Sequence, residues 1–508
     1  MKKRVLISVS DKTGILDLAK ELQSFGYDIV STGNTCKYLV ENGICAQEVS
    51  SVTNFTEILN GKVKTLHPKI FGGILADTTN NAEIDELKQN EIVPFDMVIV
   101  NLYPFEQNSQ KEYQTDEILK FIDIGGVALL RAAAKNNKNI CVVSDIEDYK
   151  NVLLELKTLG EISPTLKESL AIKAFEITAK YDAIIASVLK REYKIETDEL
   201  FINAKKIKQL RYGENPHQNA YLYNINTNFD YEILNGKEIS YNNILDISSA
   251  LSIVSEFYDV PACAIVKHTI PCGVALGKDI TDAYMKAFDC DAISAFGGII
   301  AFSQTVTREI AIHANKMFLE VLVAPAFEDE AISILKQKKN LRLIQINTPL
   351  KDYKNLFNKE YKMTPFGLLE QDVDTKELDV NEFKVVTETK PTKEQLEDMI
   401  FAFKIAKYTK SNAIVVAKDF KAIAISGGFT SRIDAVEWAL NHAIDGTKDA
   451  VLASDGFFPA IDNINSAAQG RISAIIQPGG SIKDADVIAQ ADKLNIAMVT
   501  TGIRHFRH

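Results

Sequence analysis

Short apolar runs alternating with helix-length amphipathic stretches dominate this chain, and few folds accept that pattern. Residues 5–9, 27–30, 96–100 and 139–143 each read as a buried strand, with helical periodicity between them. Such alternation implies a parallel sheet covered on both faces, an α/β fold. A long helical pattern over 164–190 closes this unit, and the polar stretch 191–203 reads as a joint. With 508 residues the chain has room for roughly three domains.

The turns that follow these strands are rich in hydroxyls and glycine. Ser10-Asp11-Lys12-Thr13-Gly14 and Ser31-Thr32-Gly33-Asn34-Thr35 both stand between a strand and a helix start. Free N–H groups there make ready anion sites. An N-cap is the plainer reading of either turn alone. The segment 61–69 gathers Lys62, Lys64, His67 and Lys69, a local anion clamp or a solvated loop. Locality matters because Lys plus Arg number 57 against 68 Asp plus Glu, a net charge of -11. That balance argues against nonspecific nucleic-acid or anionic-membrane partners.

The apolar run 262–266 leads into Lys267-His268, and Thr269 to Gly273 is expected to break the chain there with Pro and Gly. This places an ammonium and an imidazole at a strand end, where open parallel sheets bind ligands. Together they offer a charge clamp and a base that titrates near neutrality. A solvated strand end is the alternative. His313 and His442 fall in helical patterns and read as structural, whereas His67, His217, His268, His505 and His508 lie in turns or at the terminus.

Some chemistry is excluded. The six cysteines form no C-x-x-C pair, so a zinc site or disulfide framework is not expected and a reducing cytoplasm is. His268-Thr269-Ile270 and Pro271-Cys272-Gly273-Val274 lack the Glu and second Cys of zinc deaminases. No G-x-G-x-x-G or P-loop occurs. No stretch approaches the ~20 apolar residues of a membrane span.

The chain beyond the joint looks duplicated. Residues 264–266 resemble 413–415, 323–325 resemble 476–478, and 291–300 line up with 449–458. The terminal Arg504-His505-Phe506-Arg507-His508, following an apolar run, is expected to dock rather than fray.

Eight segments in family order resemble the bifunctional purine-biosynthesis family that joins AICAR formyltransferase to IMP cyclohydrolase. They are Ser8-Val9-Ser10-Asp11-Lys12-Thr13-Gly14, Val63-Lys64-Thr65-Leu66-His67-Pro68-Lys69, Asn101-Leu102-Tyr103-Pro104-Phe105, Asp123-Ile124-Gly125-Gly126, Arg211-Tyr212-Gly213-Glu214-Asn215-Pro216-His217-Gln218, Lys267-His268, Ser294-Ala295-Phe296-Gly297-Gly298 and the C-terminal five residues. The resemblance implies a methylglyoxal-synthase-like parallel-sheet domain over 1–193 with the cyclohydrolase. It implies a formyltransferase over 200–508, built as two cytidine-deaminase-like α/β subdomains, about 200–365 and 390–508. It also implies a homodimer with transferase sites across the subunit interface. The substrates would be AICAR, its formylated product FAICAR, and 10-formyltetrahydrofolate as co-substrate, with no permanently bound cofactor, metal, nucleic acid or membrane. The alternative is one live activity, the other domain serving as scaffold or nucleotide sensor.

The residues follow from the same resemblance. In the transferase, His268 takes the proton of the attacking amine, Lys267 stabilises charge, Asn412 orients the formyl oxygen and His508 supports the pair. Arg211, Tyr212, Phe296, Gly297 and Arg504 match nucleotide or site positions, and Phe457 and Asp462 match folate positions. In the cyclohydrolase, Lys64, Tyr103, Asp123 and Lys135 stand near the chemistry. Ser10, Lys12, Thr13, Ser31, Gly33, Thr35, Lys62, Thr65, Asn101 and Gly125 surround the nucleotide. Three positions depart from the family pattern: Ile270 for the usual Asn, Lys62 for Arg, and Phe71 for His.

Overall fold

The computed structural model describes residues 3–109, 111, 115–225, 227–443 and 446–508, in two compact units that divide between Asn203 and Ala204.

In the first unit β1 (Lys3–Val9), β2 (Tyr27–Ser31), β3 (Ala46–Glu48), β4 (Met97–Asn101) and β5 (Cys141–Val143) form one sheet in the order β3-β2-β1-β4-β5. Every pairing is parallel. Val5, Leu6, Ile7, Met97 and Val98 are wholly buried, as both-face coverage by helices demands. The chain runs outward from β1 to β2 and β3, then crosses to β4 on the other side. The order therefore reverses beside β1, and such a switch point opens a crevice at the strands' carboxyl ends. Helix Pro164–Tyr193 packs its small face, Ala171 and Ala174, into the same core. The edge strand β3 has no apolar run to announce it; its residues are half-buried or exposed.

The second unit opens with a hairpin, β6 (Lys205–Leu210) and β7 (Ala220–Asn224). Then come β8 (Tyr231–Asn235), β9 (Ala262–Lys267), β10 (Ile270–Leu276), β11 (Ile299–Phe302), β12 (Val321–Ala324) and β13 (Arg342–Ile346). After the hairpin β14 (Lys359–Thr364) and β15 (Gly367–Asp372) follow β16 (Lys384–Val385), β17 (Ile414–Lys418), β18 (Lys421–Ser426), β19 (Val451–Ser454), β20 (Ala474–Gln477) and β21 (Ala497–Thr500). One 12-stranded sheet holds them in the order β16-β21-β20-β19-β17-β18-β10-β9-β11-β12-β13-β8.

Read outward from the β10–β18 junction, the two halves repeat: β10-β9-β11-β12-β13-β8 against β18-β17-β19-β20-β21-β16. Both have an antiparallel hairpin, three parallel strands and an antiparallel edge. Each half is introduced by a helix with a capping box, Tyr241–Ser255 behind Ser240 and Lys393–Lys407 behind Thr392. These helices lie over one continuous core that draws on both halves. The opposite faces carry separate cores, one around Tyr284 and Phe302, the other around Phe458 and Ile475.

The duplication is thus real, with one correction. The match of 323–325 to 476–478 is in register on β12 and β20, but 264–266 against 413–415 is two residues out, since Lys267 and Lys418 close the equivalent turns, and 291–300 against 449–458 is out of register as well. Residues 291–298 form a turn before β11, whereas Val451 already begins β19. A second correction concerns Thr269 to Gly273, which does not end the strand. Lys267 pairs with Ile270 across a two-residue turn, and β10 runs on antiparallel through a register shift at Pro271/Gly273. Proline is accommodated at such an irregularity, and a methyl on Gly273 would lie 2.0 Å from the Ala287 carbonyl oxygen.

Candidate active site

In the first unit the side chains converge on the carboxyl ends of β1, β2 and β4. Ser31 and Thr35 are buried, donating to the carbonyls of Ile7 and Val9 at 2.7 and 3.0 Å. Lys12 also donates to Val9, at 3.0 Å, and burial pushes its ammonium pKa down. Thr13 donates to Asp11. Asn101 accepts the Ser10 and Asp11 N–H groups at 2.6 and 2.9 Å and returns a bond to the Asp11 carbonyl. Its amide therefore builds the first turn from β4.

Lys64 joins the second turn to the basic loop. A methyl on Gly33 would lie 3.7 Å from Lys64 Nζ, and one on Gly61 would lie 3.3 Å away; Glu57 is 3.8 Å from the ammonium. Gly33, at φ 22, has the backbone freedom that lets the turn approach so closely. Asp123 accepts the Gly126 N–H at 2.7 Å, and its own N–H meets the Tyr181 hydroxyl at 2.8 Å. Burial raises its carboxyl pKa, while the Gly126 and Tyr103 N–H groups and the Lys64 charge pull it back. Burial and Asp123 raise the Tyr103 phenol in turn. Thr65 is buried 3.0 Å from where a Gly125 side chain would begin. Lys64, Tyr103 and Asp123 thus share one electrostatic site. Lys62 is exposed on the loop. Lys135 is exposed in the last turn of helix Gly125–Lys135, about 15 Å along the axis from Gly125.

In the second unit Lys267 and His268 form the tip of the β9–β10 hairpin. His268 and Thr269 have φ of 54 and 63, the signature of a type I′ turn. Lys267 donates to the Phe296 carbonyl at 2.9 Å, and Phe296 stacks near Phe318 beside Gly297, whose φ is 74. Asp246 on helix Tyr241–Ser255 accepts the Thr269 N–H at 2.6 Å. One helical turn earlier Asn242 donates to the Glu214 carbonyl in the Arg211–Tyr212 loop at 3.2 Å. Positions four apart share a helix face, so one face steadies both segments. Arg211 lies 5.4 Å from the Tyr212 ring.

In the second half the N-terminal end of β17, opposite its own hairpin turn, holds a denser network. Arg432, buried, donates to Asn412 Oδ1 at 2.7 Å, to Ser454 at 2.7 Å and to Asp455 at 2.5 Å. Asn412 also donates to the Phe429 carbonyl. The C-terminal residues dock here. Ser411 and Arg507 exchange bonds, His505 N–H reaches the Asp455 carbonyl, and Lys362 donates to the His508 carbonyl. Arg504 stacks 4.4 Å from Phe506, whose ring lies 5.9 Å from His508. Phe457 is half-buried; Asp462 is exposed at the start of helix Asp462–Gln469, bonded to Asn463. Because β10 and β18 run antiparallel, and β17 antiparallel to β18, Asn412 and His268 lie at the same end of the sheet. Their strands are three steps apart in the sheet, and the middle step, β10 to β18, pairs only at Ala275 and Lys421, at the opposite end.

Sequence reasoning missed Asp246, Arg432, Asp455 and Ser411. Each sits in an ordinary helical or strand-end pattern, and only tertiary pairing reveals it. Among the described residues no three His, Cys, Asp or Glu side chains gather as a metal-holding group. None of their helices is long and apolar enough to cross a membrane.

These features suit a bifunctional enzyme class: a parallel-sheet unit with a polar crevice at the carboxyl ends of its strands and, separately, a duplicated unit with a Lys–His turn. Residues 14–128 match the MGS-like domain and residues 133–442 the AICARFT/IMPCHase bienzyme. Curated proteins named "Bifunctional purine biosynthesis protein PurH" are similar over 100% of both chains: 47% identical in Caldicellulosiruptor bescii and Acetivibrio thermocellus, 46% in Persephonella marina. The chain belongs to the AICARFT/IMPCHase bienzyme family. It is a bifunctional AICAR formyltransferase and IMP cyclohydrolase of purine biosynthesis.

Proposed function

We propose that the first unit closes the ring and that the second transfers the formyl group. In the transfer, the amine of AICAR attacks the formyl carbon of 10-formyltetrahydrofolate and the carbon–nitrogen bond to the folate breaks. The amine proton passes to His268 and finally to the departing folate nitrogen. That amine is a poor nucleophile because its lone pair is delocalised into the ring. Proton removal and oxyanion stabilisation must both assist. Lys267 supplies the positive charge and Asn412 the dipole for the formyl oxygen. Arg211 suits a phosphate. Phe457 offers a face for the folate ring, and His508 belongs to the Asn412 side of the site.

In the cyclisation the carboxamide nitrogen attacks the new formyl carbon and water is lost. Both groups belong to one molecule, so orientation carries much of the rate. The single observation that supports this reading best is the shared field of Lys64, Tyr103 and Asp123. A carboxyl whose pKa is raised by burial is a stronger base than an ordinary aspartate. The turns around Ser10, Lys12, Thr13, Gly33, Thr35, Thr65 and Gly125 take the nucleotide phosphate and sugar.

Two copies complete the transferase site in this reading. His268 and Asn412 stand three strands apart in the sheet, with β10 and β18 paired only at the opposite end, which is long for one chain to bring both to a single formyl group. Six cysteines without a C-x-x-C pair accord with a reducing cytoplasm.

The purified chain should convert FAICAR to IMP without folate, and AICAR plus formyl-folate to IMP. Loss of the first with the second intact would leave one live activity. His268→Ala should abolish transfer and spare cyclisation. Mixing His268→Ala with Asn412→Ala protomers should restore part of the transfer; no restoration would rule out the shared site.

A further inference from the structure

The turn bearing Lys267-His268 is a poor sequence for its shape. Type I′ turns favour Asn-Gly, because both central residues take positive φ. Here they are an imidazole and a β-branched threonine, at φ 54 and 63, and a β-branched side chain rarely adopts positive φ. Something outside the turn must hold it. Asp246 accepts the Thr269 N–H at 2.6 Å, and the neighbouring His268 N–H also favours its carboxylate. One turn along the same helix, Ser249 donates to the Thr269 carbonyl at 2.9 Å.

The second half contains the same clamp. The β17–β18 turn, Asp419-Phe420, has φ of 54 and 55. Its two N–H groups donate to Asp398 at 2.8 and 2.7 Å. Asp398 and Asp246 occupy the same place, the sixth residue of the capping-boxed helix that introduces each half. An Asp clamp on a hairpin of two positive-φ residues is thus part of the duplicated architecture. Only one copy carries the Lys–His pair.

We infer that Asp246 is a positioning residue of the formyltransferase, fixing the backbone of His268 so that its imidazole faces the attacking amine. This rests on His268 being the proton acceptor proposed above. Asn can accept one N–H but turns an NH2 toward the other, so Asp246→Asn should loosen the turn without emptying the space. Transferase kcat should fall at least tenfold with KM for AICAR changed less than threefold, and folate-independent cyclisation should stay at wild type. Asp398→Asn makes the same cut where no catalytic pair sits, and should leave transferase kcat within twofold.

Thr269→Gly relieves the strain that Asp246 restrains, so Asp246→Asn/Thr269→Gly should recover severalfold of the lost kcat, and Asp246→Glu should recover some by regaining the carboxylate. Wild-type kcat in Asp246→Asn, an equal loss in Asp398→Asn, or no recovery with glycine would overturn the inference. His268→Ala assayed alongside separates the two ideas. If it retains activity the reading of His268 fails; if it loses activity while Asp246→Asn does not, the positioning role fails.

Discussion

Arg432 and Asn412 are joined by a 2.7 Å hydrogen bond whose donor is the same guanidinium that meets Asp455 at 2.5 Å. The arginine and aspartate side chains are 6% and 0% exposed, so the amide that faces the proposed formyl oxygen is set by a buried ion pair. Arg432→Met removes one partner and leaves a buried carboxylate uncompensated, a loss of about 3–5 kcal/mol. Arg432→Lys keeps a charge but not the planar fork. We expect Met to lower the denaturant midpoint of the second unit strongly. Lys should lower it less, yet still reduce transferase kcat because Asn412 loses its donor. Equal kcat in wild type and Arg432→Lys would separate Asn412 from this network.

Asp123 links burial to pH dependence. Its folded pKa lies above the ordinary carboxylate value, through burial first, against the Gly126 and Tyr103 N–H groups and Lys64. As the base we propose for the cyclisation it must be ionised, so the acid limb of kcat/KM should fall above the ~4 of a free carboxyl. Lys64→Met removes a charge that favours the carboxylate and should move that limb further up. The stability sign is opposite to the catalytic one. A raised folded pKa gives stability that is present at low pH and lost as pH rises through it. Asp123→Asn should therefore abolish cyclisation while leaving the melting temperature at pH 7 unchanged or higher. A clear drop in melting temperature would show that the carboxylate holds the fold.

How legible these sites were depended on what made them. The parallel sheet was readable because its strands are buried on both faces and hence uniformly apolar, whereas the β3 edge, Ala46–Glu48, had no such run. The turns at Ser10 and Ser31 were readable because strand–turn–helix junctions require small hydroxyl residues and glycine. The Lys267-His268 turn was misread as a break, since Pro271 and Gly273 look like chain punctuation. Only the pairing of Lys267 with Ile270 and the approach of Ala287 to Gly273 explain them. The duplication showed in three short matches, but strand lengths do not fix the lengths of intervening turns, and two of the matches are out of register. Asp246, Arg432 and Asp455 were invisible, because a buried charge is recognised by its partner and the partners are distant in sequence.

Gly273 tests the packing of helix Ile280–Cys290 on β10. A methyl there would overlap the Ala287 carbonyl oxygen, a fixed backbone atom, at 2.0 Å. Overpacking a core typically costs about 1–3 kcal/mol, and a backbone that cannot yield places this site at or beyond the upper end. Gly273→Ala should unfold the second unit at markedly lower denaturant and remove transferase activity, with folate-independent cyclisation retained. A wild-type midpoint would mean that the helix shifts freely.

Glu256 gives the clearest linkage test because its partners come from distant segments. It accepts from Lys354 at 2.7 Å, Lys407 at 3.3 Å and the Tyr408 hydroxyl at 2.7 Å, with Glu256 and Lys407 only 6% and 8% exposed. Burial pushes its carboxyl up, but Lys407, Lys354 and Tyr408 more than offset this and hold it below its ordinary value. A depressed folded pKa gives stability that is present above the unfolded pKa and lost as pH falls through the folded one. Glu256→Gln should thus destabilise by about 3–5 kcal/mol at pH 7, since Lys407 is left buried without its counter-charge. The gap from wild type should narrow below about pH 4.3, where the unfolded carboxyl is already protonated. Denaturant unfolding of both proteins across pH 3 to 7 measures this directly, and a gap that stays constant over that range would assign the cost to lost packing instead of lost charge.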